Sequence, residues 1–179
     1  METFAALKQM EGTLSLTCDR LNAMKAKLED LLFRAQRIAA AMKATQKVTD
    51  TMFGYDLQKF RREVRTFSGE ISGIPVVMGS IERGASPDEK AVKFAQSVMR
   101  LTMRLSQSLR AMHDMSILAH QHIRTADHKI EAWYLSQEVE EMVMRGQSLP
   151  TSANKIVIAT AVPTASPPSQ PPGSPPAKA

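Results

Sequence analysis

Residues 88–145 contain no Gly and no Pro, and this run of 58 residues limits the fold more than any other feature of the chain. Compact domains are punctuated by such breakers. A run this long therefore points to helix, and unbroken it would extend about 90 Å at 1.5 Å per residue. Helix signals stand at both ends. Ser86 is a capping residue, Pro87 suits a first helical position, and Glu89 stands where a capping box closes. Gly146 followed by Pro150 is a stop. The expectation is one long helix over 88–145.

The preceding half keeps a helical period too. Leu7, Met10, Leu14, Thr17, Leu21, Met24, Leu28, Leu31, Ala35, Ile38, Met42 and Thr45 follow 3,4 spacing, which is the pattern of a coiled-coil seam. Leu16, Leu32 and Phe33 lie off that seam and predict contact with more than one partner helix. A second seam runs through Phe53, Leu57, Phe60, Val64, Phe67, Ile71, Ile74, Met78 and Ile81, one residue out of register with the first. Either one arm continues through an irregularity at residues 49–54, or the chain breaks at Gly54 and restarts with Asp56 as a cap. Length favours the continuous arm, because the 88–145 helix would then return along it after a reversal near residue 80. Residues 71–87, ISGIPVVMGSIERGASP, hold Gly73, Pro75, Gly79 and Gly84, and regular helix is expected to fail somewhere between Gly73 and Ser86.

In the returning helix the stripe is Phe94, Val98, Leu101, Leu105, Leu109, Met112, Ser116, Ala119, Ile123, Ala126, Ile130 and Trp133, and beyond Trp133 it passes to Leu135, Val139 and Met142. Val92, Met99 and Met103 occupy another face, so a third helix or a second subunit is expected beside it. The fold expected is all-α, an elongated antiparallel coiled-coil hairpin or an up-down three-helix bundle over residues 1–149. Residues 150–179 are expected to form a flexible, disordered tail rich in Pro, Ser and Ala. Within it, KIVIATAV at 155–162 has strand-like composition. Two PxxP spacings, at Pro168 with Pro171 and at Pro172 with Pro175, suit recognition by a small aromatic-grooved domain, though neither has an adjacent Arg or Lys. A spacer tail is the plainer reading.

The formal net charge of +5 is too mild for non-specific binding to nucleic acid, which is not expected as a partner. Its placement is more telling. Between Lys59 and Arg110 stand ten basic and five acidic residues. With a reversal near residue 80, Lys59, Arg61, Arg62, Arg65, Arg83, Lys93, Arg100 and Arg104 converge on an apolar tip made of Ile71, Ile74, Val76, Val77, Met78 and Ile81. An anionic membrane surface or an acidic partner would meet such a tip favourably. A solvated helix surface is the plainer alternative. Asp127, Glu131, Glu138, Glu140 and Glu141 are placed at the opposite end.

Chemistry is not indicated. His113, His120, His122 and His128 share one segment and lack the repeated carboxylate and histidine ligands of a bundle metal site. Cys18, the only cysteine, has no base dictated by the sequence. There is no phosphate-cradling loop or nucleophile elbow. No enzyme, cofactor or metal is expected. The start, METFAALKQMEG, has no basic-then-apolar signal pattern, and no run of about 18 apolar residues occurs. A single cysteine fits a reducing compartment, so the expected location is cytoplasmic, peripheral to a membrane if the tip binds lipid. The function expected is a scaffold or interaction protein that forms a homo-oligomer or pairs with a helical partner through its seams. The alternatives are a membrane-interacting hairpin and an accessory component of a secretion or assembly complex.

Overall fold

The computed structural model describes residues 2–44 and 50–163. Among them the chain is all-helical and has no strand: α1 Glu2–Lys43, α2 Phe53–Gly84, α3 Glu89–His122, α4 Ala126–Gly146 and α5 Leu149–Thr160. Both seams are buried within this one chain. In α1 every seam position from Leu7 to Ala35 is buried, whereas Met42 is exposed and Thr45 lies outside the described residues. In α2 the second seam is buried at every position from Phe53 to Ile81. Among the off-seam residues, Leu16 and Phe33 face solvent.

The two arms are not continuous. α1 stops at Lys43 and α2 begins at Phe53. They run antiparallel, bridged by Arg20 to Glu70, Lys27 to Glu63 at 3.0 Å and Arg34 to Asp56 at 2.8 Å. The one-residue slip in register thus marks a chain reversal, across which no common register is needed. The next reversal falls at the far end of the 73–86 window. α2 continues through Gly73, Pro75 and Gly79 to Gly84, because Ile71, Ile74, Met78 and Ile81 are held in the core on one face and outweigh the weak helix formers between them. The turn is confined to residues 85–88. Asp88, not Ser86, caps α3, its carboxylate accepting from the Lys90 N–H at 2.9 Å.

The long helix over 88–145 is also divided. Residues 123–125 leave the helical conformation without a Gly or Pro, with ψ of 127° at Ile123 and 136° at Thr125. An unbroken rod would carry its second apolar stripe into water, and the reversal folds that stripe back onto the bundle. The stripe also changes phase: beyond Ile123 the buried residues are Ala132, Leu135, Ser136, Val139 and Met142, while Ile130 and Trp133 are exposed. Thr125 before Asp127, and His120 with His122 in the preceding last turn, are the local signals of this boundary.

The helical body does not end at 149. Residues 151–160, expected to be tail and strand-like in part, belong to α5, with Leu149, Ala153, Ile156 and Thr160 buried. Pro150 sits in the first turn of α5, where its missing N–H costs nothing. The tail expected over 164–179 lies outside the described residues.

Packing gives a four-sided bundle. α1 lies against α3 and α2, and α4 with α5 forms the opposite corner, also against α3 and α2. α4 and α5 follow one another through helical backbone at Gln147 and Ser148 and together match α3 in length. α2 and α3 therefore occupy diagonal corners. At one end the Asp88 N–H donates to the Thr160 carbonyl at 3.1 Å, and Thr3 Oγ1 donates to the Gly84 carbonyl at 3.0 Å. Small residues allow close approach elsewhere: a Cβ on Gly146 would stand 2.8 Å from Leu109 Cδ1, and one on Gly54 would stand 2.7 Å from His128 Nε2.

Candidate interaction surfaces

The expected tip residues separate into three groups. Ile71, Ile74, Met78 and Ile81 are core side chains of α2 and cannot meet lipid or protein while the bundle is closed. Val76 and Val77 are 70% and 50% exposed, and they sit about two turns before the helix end rather than at the reversal. The basic residues do not gather around them. Lys59 and Arg62 line the groove between α1 and α2, a shallow depression of about 560 Å³ that also holds Arg20, Tyr55 and Thr66. Arg83 contacts Ser80 at 3.2 Å near the end of α2. Lys93, Arg100 and Arg104 lie on α3, at the corner diagonal to α2, so they and Val76 face different sides of the molecule.

Arg61 has a structural role instead. Its Nη2 and Nε bind Glu138 at 2.8 and 3.1 Å, and its Nη1 pairs with Glu131. The guanidinium also stands 5.0 Å from the centre of the Tyr134 ring. Hydrogen bonding by Glu138, partly offset by burial and reinforced by Glu131, raises its pKa. Arg65 reaches Glu138 at 3.8 Å. Glu131 and Glu138, placed by the sequence at the far end of a rod, come alongside α2 because α4 folds back parallel to it. Arg34 makes a second cluster, binding Asp50 at 2.7 Å, Asp56 at 2.8 Å and Asp30 at 3.7 Å, and so ties the end of α1 to the start of α2. Its hydrogen bonds hold the Asp50 carboxyl below the usual carboxylate range.

Among the described residues the cations of α3 are unpaired, as are Lys8, Lys25 and Arg37 on α1 and Lys59, Arg62 and Arg83 on α2. Lys93, Arg100, Arg104 and Arg110 are exposed, and none of them forms an ion pair among the described residues. The helix supplies only Glu89 and Asp114 as carboxylates, and the adjoining α5 carries Lys155 and no acid. Met103, exposed at 45%, is the large apolar side chain among the four cations. Lys93, Arg100, Arg104 and Arg110 all belong to the basic zone between Lys59 and Arg110, of which Arg110 was not assigned to the tip.

The Cys18 thiol is buried, donates to the Leu101 carbonyl at 3.6 Å, and has its pKa pushed up by burial, with Arg104 opposing weakly. His128 packs edge-on against Phe53 at 5.3 Å, and Glu131 turns to Arg61 rather than to it. Among the described residues no three His, Cys, Asp or Glu side chains gather as a metal site, and no helix is long and apolar enough to cross a membrane. Comparison with protein-family models, with characterised proteins and with solved structures gives no match.

Proposed function

We propose that this chain is a non-enzymatic interaction protein, a self-contained helical bundle that binds an acidic protein partner along the outer side of α3. The observation that carries the reading is the run of unpaired cations on α3, a helix with only Glu89 and Asp114 as carboxylates. Arg20, Lys27, Arg34, Arg61, Arg65 and Arg145 each meet a carboxylate within the chain, while Lys93, Arg100, Arg104 and Arg110 meet none. Steps of seven and four from Lys93 to Arg100 to Arg104 set these cations along one side of a helix, the arrangement by which flanking charges select a partner helix. A bilayer would ask for a broad apolar face beside the cations, and Met103 alone supplies little of one. Pairing through the seams would require the bundle to open, because those residues already bury one another.

The test is site-specific crosslinking. A photoreactive residue at Gln107, exposed between Arg104 and Arg110, is expected to trap a partner, and one at Gln36, exposed on α1, is not. The adduct should disappear in Arg100→Glu with Arg104→Glu and weaken as salt is raised. Equal adducts from both positions, or an adduct indifferent to the charge reversal, would refute the reading. Transfer to anionic vesicles abolished by the same two substitutions would replace the protein partner with a lipid surface.

A further inference from the structure

The outer edge where α3 and α4 lie side by side carries a second surface. Residues seven apart share nearly one side of a helix, and adjacent rows are about 100° apart, so the packing partners of two rows fix the next. On α3, Phe94 stacks on Phe4 of α1, which turns the row of Phe94 and Leu101 toward α1. A Cβ on Gly146 would stand 2.8 Å from Leu109 Cδ1, which turns the row of Thr102 and Leu109 toward α4. One residue further from α1 stand Met103, Arg110 and Ile117. On α4, Glu131 and Glu138 turn to Arg61 of α2, and the row of Val139 and Gly146 turns to α3. One residue further from α2 stand Trp133 and Glu140. All five are exposed, Trp133 at 48% and Met103 at 45%.

The levels along this edge follow from two contacts. Asp88 lies beside Thr160, and Leu109 beside Gly146, on antiparallel helices. Arg110 is thereby level with Glu140, and Ile117 with Trp133, each to within about a turn. Met103 and the exposed Met144 stand toward the other end. The strip thus has apolar side chains at both ends and one cation with one carboxylate between them. Neither Arg110 nor Glu140 forms an ion pair among the described residues.

We propose that this strip binds a second copy of the chain. A two-fold axis parallel to the bundle lays α3 of one copy on α4 of the other and keeps every level. Arg110 then meets the partner's Glu140, Ile117 the partner's Trp133 and Met103 the partner's Met144, and each contact occurs twice. An acidic partner or an anionic bilayer would leave Glu140 facing like charge, whereas the strip itself offers both signs in the order required. Two helices side by side are about 20 Å wide, and about 40 Å of their length covers about 800 Å² per copy, the area of a stable dimer. Lys93, Arg100 and Arg104 lie round the α1 side of α3 and stay outside the contact, which is therefore separate from the acidic partner proposed above.

Sedimentation equilibrium of the full chain at micromolar concentration is expected to show a dimer. Arg110→Glu and Glu140→Arg should each weaken it about tenfold or more, since either change sets two like-charged pairs across the axis. Mixed in equal amounts, the two variants should recover the dimer: the reversed residues then face each other, and the native Arg110 of one faces the native Glu140 of the other. Mixing could not repair a contact made within one chain. Arg100→Glu with Arg104→Glu should leave the dimer unchanged, and circular dichroism should show native helix content in every variant. A chain that stays monomeric, single reversals that mixing does not rescue, or growth beyond a dimer would overturn the proposal.

Discussion

Replacing Ile156 by Ala tests whether α5 belongs to the core, and Ile158 two residues on supplies the matched control. Ile156 is fully buried, whereas Ile158 is 68% exposed on the same 12-residue helix. Removing three carbons from a buried Ile costs about 2–5 kcal/mol, part lost transfer energy and part residual cavity. α5 is short and can settle partway into the gap, so about 3 kcal/mol is the expected loss. For a domain of this size each kcal/mol moves the midpoint by about 2–4 °C, so Ile156→Ala should lower Tm by about 6–12 °C. Ile158→Ala should stay within about 0.5 kcal/mol. Ending the chain after Ser148 removes Leu149 and Ile156 together, a loss of about 5 kcal/mol or more that rivals the whole stability of a typical domain. The assay is urea unfolding followed by far-ultraviolet circular dichroism, with equal slopes required before midpoints are compared. Equal effects of Ile156→Ala and Ile158→Ala would refute the packing of α5.

Arg61→Ala should destabilise by about 2–3 kcal/mol, since it strands two carboxylates that are only 24% and 15% exposed, whereas Arg20→Ala, in a pair about half exposed, should cost at most about 1 kcal/mol. Arg61→Lys should not restore stability, because an ammonium cannot bind Glu138 through two nitrogens and cover Tyr134 at once; full recovery in urea unfolding would contradict the geometry. Two glycine substitutions should differ in sign: Gly73→Ala, with nothing near its Cβ, should stabilise by about 0.5–1 kcal/mol, and Gly146→Ala should destabilise by about 1–3 kcal/mol through Leu109. The Asp50 carboxyl, held low by Arg34, contributes stability that is fully present above about pH 4 and lost as pH falls through its lowered value. Asp50→Asn should therefore narrow the gap in unfolding midpoint between about pH 6 and about pH 2, and an unaltered gap would show that the pair does not couple to folding.

What could be read in advance followed how local each feature is. The seams of α1 and α2 were legible almost residue by residue, from Leu7 to Ala35 and from Phe53 to Ile81, because a heptad pattern depends only on neighbours along one helix. The boundary at 123–125 was not, since no Gly or Pro stands there and the reversal is favoured by burial against α2 and α3. α5 misled for a related reason: Ile156, Val157 and Ile158 favour a strand locally, and the packing of α5 against α3 and α2, which buries Ile156, holds the segment helical. Of the expected site, Val76, Val77, Lys93, Arg100 and Arg104 are exposed, but α2 and α3 stand at diagonal corners, a placement no local pattern carries.

The sequence by itself determined that the chain is helical and which side chains of its first two helices turn inward, because periodicity is written in the order of the residues. Only the tertiary structure decided which charges are spent and which remain available. Arg61 is neutralised by Glu131 and Glu138, more than sixty residues away, while Arg100 and Arg104 are left open, and the difference lies in which helix comes to rest beside which. That choice follows from where the chain reverses, and reversal is governed by the burial of distant apolar faces rather than by any residue at the turn.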